Sequence, residues 1–131
     1  MTDAKDLEAR VKALERRIAV SEDIEAIKRL KHKYFRCLDA KLWDELAQCF
    51  TEDATTSYTD GKYSFHGVEA IIGFLKKSLG ATTVLGMHQG HQPEIDITSE
   101  TTANGIWTSE AGLIITDRNV STREVNFYHD E

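Results

Sequence analysis

The chain has 131 residues, of which 40% are hydrophobic and 29% are charged, which is typical of one folded domain. No apolar run approaches the roughly 18 residues of a membrane-spanning helix, and residues 1–10 lack the apolar core of a secretory signal. The net charge is −6, and residues 89–131 hold two arginines against eight acids, which argues against nucleic acid as the main partner. We therefore expect one cytoplasmic domain over residues 1–131, with no membrane partner.

The chain has two cysteines, Cys37 and Cys49, and both lie in apolar stretches with helical periodicity. Two such residues do not form the disulfide framework of a small secreted domain. We interpret them as buried, reduced thiols.

Helical periodicity dominates the first fifty residues. Three helices are predicted, with these apolar faces: Leu7, Val11, Leu14 and Ile18; then Ile24, Ile27, Leu30, Tyr34 and Leu38; then Leu42, Trp43, Leu46 and Phe50. Ser21 is placed to cap the second helix. The first face is too short to form a stable coiled coil alone, so we expect it to pack on its own domain or on a partner subunit.

The pattern then changes to short strands. Two β-prone runs, 54–58 and 62–66, flank Asp60-Gly61, which is a hairpin turn signal. Residues 68–79 restore the helical period, and Gly80 ends that helix.

Three further strands are predicted at about 82–98, 102–116 and 123–131, with a turn over 98–101 and a loop over 117–121. Helices followed by strands, without βαβ alternation, predict an α+β fold with an antiparallel sheet. Such a sheet can curl against the helices into a cone, and the interior of the cone is the expected ligand pocket.

Asp39 is the first candidate for chemistry. It ends the second predicted helix, where the helix dipole already places negative charge, so its carboxylate needs a compensating partner. Two interpretations stay open. Asp39 caps the third helix through the amides of Lys41 or Leu42, or it serves an active site.

Two histidines, His88 and His91, lie three residues apart. That spacing suggests a metal site, but on a regular strand it places the side chains on opposite faces, and no further zinc ligand is nearby, so we expect no metal. On a regular strand, alternate residues share a face, and here one face would carry Leu85, Met87, His91, Ile95 and Ile97. This alternation points His91 inward, whereas a bulge at Gly90, ahead of Pro93, turns His88 inward instead. The residues alone leave this choice open.

Three aromatic residues are further candidates. Tyr34 and Tyr58 are either core residues with satisfied hydroxyls or pocket donors that polarise a carbonyl. Trp107 is expected in the pocket wall or the core, on the opposite face from Glu110. The remaining histidines, His32, His66 and His129, are interpreted as surface or turn residues.

Several segments form a recognisable combination. They are Asp23-Ile-Glu-Ala-Ile-Lys-Arg-Leu-Lys31, Tyr34-Phe-Arg-Cys-Leu-Asp39, Lys41-Leu-Trp-Asp-Glu-Leu46, Met87-His-Gln-Gly-His-Gln-Pro-Glu-Ile95 and Thr101-Thr-Ala-Asn-Gly-Ile-Trp107. Together they resemble SnoaL-like proteins of the nuclear-transport-factor-2-like superfamily. Within it, residues 23 to about 107 are most similar to the bile acid 7α-dehydratases, with scytalone dehydratases more distant.

The resemblance implies a cone fold, a homotrimer (or otherwise a dimer), no metal and no organic cofactor. It also implies a lyase that eliminates water from a hydrophobic, steroid-like ring system. The implied catalytic residues fall on Tyr34, Asp39 and His88, and a second tyrosine falls on Tyr58. The resemblance thus favours His88 over His91 and requires the irregularity at Gly90.

We add Trp107 and His91 to Tyr58 as candidate substrate-binding residues. Two departures from the dehydratases stand out. An alanine, Ala111, follows Glu110 where they carry an acid, and the chain ends at Glu131 where they continue for at least one more strand. An open sheet edge is therefore expected, covered by a partner subunit or left by a shortened chain.

Four functions remain in competition: a lyase, a related isomerase, a binding module without turnover, and an oligomerisation domain built on the N-terminal apolar face. Contact between Asp39 and His88 inside a hollow favours the first two. A solid interior favours the last.

Overall fold

The computed structural model describes residues 3–131 and has an α+β fold, as predicted. In chain order its elements are α1 Ala4–Asp39, α2 Trp43–Ala47, β1 Thr55–Tyr58, β2 Tyr63–His66, α3 Val68–Leu79, β3 Val84–Ile97, β4 Ala103–Ile115 and β5 Val120–Asp130. None of the helices over these residues is long and apolar enough to cross a membrane.

The first helix is continuous, so the predicted break at Ser21 is wrong. Asp3 caps α1 by accepting from the backbone N–H of Lys5. No glycine or proline interrupts residues 4–39, and a serine inside a helix costs only some tenths of a kcal/mol, so the helix runs through Ser21. At about 1.5 Å per residue, α1 is roughly 54 Å long.

The N-terminal half of α1 extends away from the rest of the chain. Leu7, Val11, Leu14 and Ile18 are each about half exposed, from 49% to 56%. The expectation that this face packs on its own domain is therefore wrong, and packing on a partner subunit stays a prediction. Leu30 is also exposed, because the helix meets the sheet only through its last turns, where Lys31, Tyr34, Phe35, Cys37 and Leu38 are buried.

The short elements follow the prediction closely. Strands β1 and β2 pair antiparallel from Thr55↔His66 to Tyr58↔Tyr63, around a turn that contains Asp60 and Gly61 at positive φ. In α3, Ile71 and Leu75 are buried, and Gly80 follows the last residue. In α2 only Leu46 is fully buried, and Leu42 is exposed.

The long strands form an antiparallel sheet in the order β3-β4-β5. Strand β5 begins at Val120, three residues before the predicted start, because Val120 continues the ladder opposite Ile115. The C-terminal turns of α1 lie against β3. The main core lies between these turns, α2, the hairpin and α3, with Leu46, Ile71 and Cys37 fully buried.

Candidate functional site

The last residue of α1 and the middle of β3 meet in a two-point contact. The carboxylate of Asp39 lies 2.6 Å from His88 Nδ1 through Oδ1, and through Oδ2 it accepts the backbone N–H of His88 at 2.8 Å. The amides of Lys41 and Leu42 bond instead to the carbonyls of Leu38 and Cys37. The capping interpretation of Asp39 is therefore wrong, and Asp39 serves His88.

This contact defines the state of the imidazole. A carboxylate only accepts, so in the neutral ring Nδ1 carries the proton and Nε2 keeps a free lone pair. The His88 side chain is 10% exposed and that of Asp39 is 26% exposed. A positive charge that develops on the ring is stabilised by Asp39 and by the carboxyl end of α1. The pair can therefore take up and release a proton at Nε2.

Glycines flank His88 on the same face of β3. A Cβ on Gly86 would lie 3.2 Å from Asp39 Oδ1, and one on Gly90 would lie 2.7 Å from the ring of Phe35. A side chain at Gly90 would force the Phe35 ring or the strand to move, and one at Gly86 would require a small shift of the Asp39 carboxylate, because α1 lies so close to the strand. The Gly-x-His-x-Gly spacing was available in the sequence as a signal for His88, since residues two apart on a strand share a face.

The bulge in β3 lies after His91 rather than at Gly90. Pairing with β4 shifts between His91 and Glu94, and Gln92 has φ 50°. The extra residue reverses the alternation there, so His88 faces inward with Gly86 and Gly90, whereas Ile95 and Ile97 face inward beyond the bulge. The predicted irregularity at Gly90 is wrong in position.

The same shift corrects the predicted orientation of His91. Leu85 and Met87 are more than half exposed on the outer face. The His91 side chain is 44% exposed on that face and lies 3.6 Å from Glu110. The structure therefore does not bring His91 together with the other candidates, and its predicted inward direction is wrong.

Two of the predicted tyrosines meet in the interior. Tyr34 is 8% exposed, and Tyr58 lies close enough to it to raise its pKa. Burial, with the neighbouring Tyr128 and Tyr58, raises the pKa of Tyr34 well above its usual value. Burial also raises the pKa of Tyr58, and the neighbouring Thr56 and Tyr34 partly oppose that effect. Both phenols therefore stay protonated donors at neutral pH.

Three inner residues escaped the sequence analysis. The ring of Phe35 is stacked on His88, with centroids 6.1 Å apart and planes 9° apart, and it meets Tyr128 edge-on at 5.7 Å. Burial, with Tyr58 and Asp130, raises the pKa of Tyr128 to about 12. Phe35 lies off the predicted apolar face, and Tyr128 lies on the last strand, where no inward partner was identified.

Lys31 is the third missed residue, and it is buried. Its ammonium lies 2.8 Å from Asp130 Oδ2 and 3.9 Å from the ring centroid of Tyr128. Burial lowers the pKa of Lys31, and the adjacent Asp130 carboxylate opposes that effect. The only available signal was its position three residues before Tyr34, on the same face of α1.

Trp107 is 1% exposed and lies against Gly90 and Gly105 of the inner face. Its indole N–H has no hydrogen-bond partner among residues 3–131. His32, His66 and His129 are exposed, as predicted. In the described part of the chain, no three His, Cys, Asp or Glu side chains are grouped so as to hold a metal ion.

An open depression lies elsewhere on the surface. It has a volume of about 680 Å³, and its lining on α1 and α2 includes Arg29, Lys33, Arg36 and Glu45. These charged side chains are largely exposed, and they include no carboxylate–imidazole pair like that of Asp39 and His88. We therefore place the candidate site at Asp39 and His88 by its chemistry, on the inner side of the sheet. That side is open to solvent near β5, where Glu124 and Asn126 are exposed.

A family model described as a SnoaL-like domain matches residues 19–131. The chain belongs to the SnoaL-like family. The match covers the C-terminal half of α1 and every later element, and so includes Asp39 and His88. Particular similarity to bile acid 7α-dehydratases stays a prediction.

Solved structures resemble this SnoaL-like chain over most of its length. A candidate scytalone dehydratase from Novosphingobium aromaticivorans is 27% identical, with a TM-score of 0.79, over 86% of this chain and 74% of that one. A hexachlorocyclohexane dehydrochlorinase from Novosphingobium barchaimii is 18% identical, with a TM-score of 0.74, over 86% and 76%. The ActVI-ORFA protein of Streptomyces coelicolor is 14% identical, with a TM-score of 0.67, over 79% of each. The last two likenesses show the fold.

Proposed function

We propose that this SnoaL-like protein is a lyase that eliminates water from a hydrophobic, steroid-like or polycyclic substrate by acid–base catalysis. One observation carries the proposal, namely the 2.6 Å contact between Asp39 and His88 on the inner side of the sheet. The similar structures include a candidate dehydratase and a dehydrochlorinase, both named for elimination reactions, which supports the reaction class.

The proposed chemistry follows from the free nitrogen of His88. Nε2 removes a proton from a carbon that is activated by conjugation with a carbonyl, while Asp39 holds the tautomer and stabilises the imidazolium. General acid–base help of this kind contributes roughly 10²–10⁴-fold. The protonated hydroxyls of Tyr34 and Tyr58 donate to the carbonyl oxygen as it gains negative charge. These steps need only side chains of this chain.

The character of the substrate follows from the walls. Phe35 and Trp107 are buried aromatic residues on the same side of the sheet as His88, and Phe65 and Phe74 stack at 4.4 Å next to Tyr58. Such surface binds fused apolar rings, and the few polar groups orient the carbonyl and hydroxyl.

We further propose that the protein is a homo-oligomer. The outer face of the sheet exposes apolar side chains on all three strands: Leu85, Met87, Ile106, Ile114, Val125 and Phe127. Large apolar side chains exposed together on one face of a sheet are typical of a contact surface. A trimer agrees with the family resemblance, and a dimer is the alternative.

A binding protein without turnover is the second candidate. Ala111 supports it, because it is the residue paired with His88 across β3 and β4 and brings only a methyl group to the site. An isomerase is the third, since the same groups can move a proton without expelling a hydroxyl.

One assay separates the three candidates. The protein is incubated with a 7α-hydroxy-3-oxo-4-ene steroid, and ultraviolet absorbance of the extended conjugated product is followed for the wild type and for His88→Ala. We expect turnover by the wild type and a fall of about 10²-fold or more in the variant. Binding without turnover supports the second candidate, a shifted double bond without loss of water supports the third, and full activity of His88→Ala contradicts the mechanism.

A further inference from the structure

The inner face of β5 carries a carboxylate that the proposed mechanism has not used. Tyr128 and Asp130 contact Phe35 and Lys31 and so point to the inner side. Side chains alternate along a strand, so Glu124 shares their face. Its charge also contributes to the raised pKa of Tyr128. The adjacent Arg123 pairs with Glu110 on the outer face.

Strand register sets Glu124 in line with His88. His88 pairs with Ala111 across β3 and β4, and Ala111 pairs with Glu124 across β4 and β5. Neighbouring strands lie about 4.8 Å apart, so the backbones at His88 and Glu124 are separated by about 10 Å. On β4, the residue between His88 and Glu124 in this row is Ala111, whose side chain is a single methyl group. A backbone separation of about 10 Å can accommodate a substrate H–C–C–OH unit between the two side chains.

Glu124 is available to a ligand. Glu124 is exposed, and its side chain forms no hydrogen bond or ion pair with any other residue of the described range 3–131. By contrast, Glu110 on the same pair of strands is held by Arg123 on the outer face. A carboxyl group that faces the inner side without a partner is free to bind a substrate hydroxyl.

We propose, on the basis of the proposed function, that Glu124 is the general acid. It protonates the leaving hydroxyl group, opposite the base His88. The C–H bond breaks and its proton goes to His88 Nε2, and the electron pair of that bond forms the new C=C bond. The C–O bond breaks with its electron pair on oxygen, which takes the Glu124 proton and leaves as water. The imidazolium then loses its proton to solvent, and Glu124 regains one from solvent.

Several charged or titratable groups face the same side of the sheet as Glu124. They are His88 on β3, Tyr128 and Asp130 on β5, and Asp39 and Lys31 on α1. A bound apolar ring system displaces water from the carboxyl group, and loss of water disfavours its charged form. The proposed role requires that Glu124 carries a proton in the complex with substrate.

The test compares Glu124→Gln with the matched variant Glu94→Gln, which changes an outward-facing glutamate of β3. Each is assayed with a 7α-hydroxy-3-oxo-4-ene steroid and with its 7α-chloro analogue, whose leaving group needs no proton. We expect kcat of Glu124→Gln to fall about 10²-fold or more on the alcohol, with KM within threefold, and to stay near wild type on the chloride. We also expect the wild-type kcat to decline at alkaline pH as the general acid loses its proton. This decline should be absent in Glu124→Gln. Glu94→Gln should match the wild type on both.

The outcomes separate this proposal from the proposed function. Wild-type turnover that survives in Glu124→Gln, or an equal loss on alcohol and chloride, overturns the role of Glu124 and leaves the lyase standing. An absence of wild-type turnover on both substrates overturns the proposed function itself, and the role of Glu124 with it.

Discussion

At the scale of single residues, the site depends on one carboxylate that holds one imidazole at two points. Asp39 accepts both from the ring and from the backbone of His88, which fixes the ring in direction and in tautomer. The phenols of Tyr34, Tyr58 and Tyr128 are kept neutral by burial. The imidazole is thus prepared to accept a proton and the phenols to donate hydrogen bonds.

The first residue-scale prediction concerns Asp39. In Asp39→Asn the amide no longer stabilises the imidazolium, so kcat should fall by about 10²-fold or more. The folded state should persist, because the amide oxygen can still accept the backbone N–H of His88. Steady-state kinetics and circular dichroism measure the two effects. Unchanged kcat would exclude Asp39 from the mechanism.

The second residue-scale prediction concerns Tyr128. Its pKa is raised to about 12 in the folded protein from an ordinary value of about 10. The neutral phenol is favoured in the folded state, so its contribution to stability is complete below about pH 10 and is lost as the pH rises towards 12. Tyr128→Phe should show a shallower fall in the free energy of unfolding over this range. Urea unfolding at pH 9 and 11.5 measures it.

The matched variant for that measurement is Tyr63→Phe, which removes a half-exposed phenol of the hairpin and keeps the three buried ones. Its alkaline loss of stability should stay close to that of the wild type. If Tyr128→Phe and wild type lost stability in parallel up to pH 11.5, the phenol would not be held neutral by the fold.

At the scale of elements, the close approach of α1 to β3 decides the geometry. Gly86 and Gly90 allow the helix to lie on the strand, and the bulge after His91 then returns Ile95 and Ile97 to the inner side. The approach brings the helix end within hydrogen-bond distance of the strand's histidine. A larger side chain at either glycine would separate the two elements.

Gly90→Ala tests this approach. The new Cβ would meet Phe35 at 2.7 Å, so the ring or the strand must move, and we expect a loss of about 1–3 kcal/mol of stability. Gly73→Ala is the control, because its Cβ would meet nothing within 4 Å inside α3, and it should stabilise by about 0.5–1 kcal/mol. Equal effects of the two substitutions in urea unfolding would contradict the packing.

Much of the secondary structure was predictable from the sequence. The hairpin around Asp60-Gly61 and α3 follow from turn chemistry and periodicity, which act locally. The break at Ser21 was predicted wrongly because a capping residue without a breaker does not end a helix. The orientation of His91 was predicted wrongly because one extra residue at Gln92 reverses a period of two, and no local pattern marks its position.

The site was predictable in part. Asp39, His88, Tyr34 and Tyr58 were identified through family resemblance, and the structure places Asp39 against His88 and Tyr34 against Tyr58. Residues that join the site only through tertiary packing could not be predicted from the sequence. Lys31 reads as an ordinary helix-surface charge until Asp130 and Tyr128 close over it.

At the scale of the whole molecule, two exposed apolar surfaces remain on the single chain. One is the outer face of the sheet, where Val125 is 65% and Phe127 is 69% exposed. The other is the N-terminal half of α1, with Leu7, Val11, Leu14 and Ile18. Covering either surface removes apolar area from water, which drives association.

We expect the sheet face to lie in a contact between copies of the chain. Phe127→Lys should lower the molar mass measured by light scattering at micromolar concentration, because a buried, unpaired ammonium is strongly disfavoured. Leu30→Lys replaces a leucine that is 45% exposed on α1, away from that face, and should leave the mass unchanged. A monomeric wild type would contradict the expected oligomer.

The most direct test of the central claim is a double-mutant cycle on kcat/KM of steroid dehydration, with Asp39→Asn, His88→Gln and the double variant. If Asp39 acts through His88, the double variant should be no slower than His88→Gln alone, because groups that work as a unit are lost together. Losses that multiply in the double variant would show that the two residues act separately and would contradict the account.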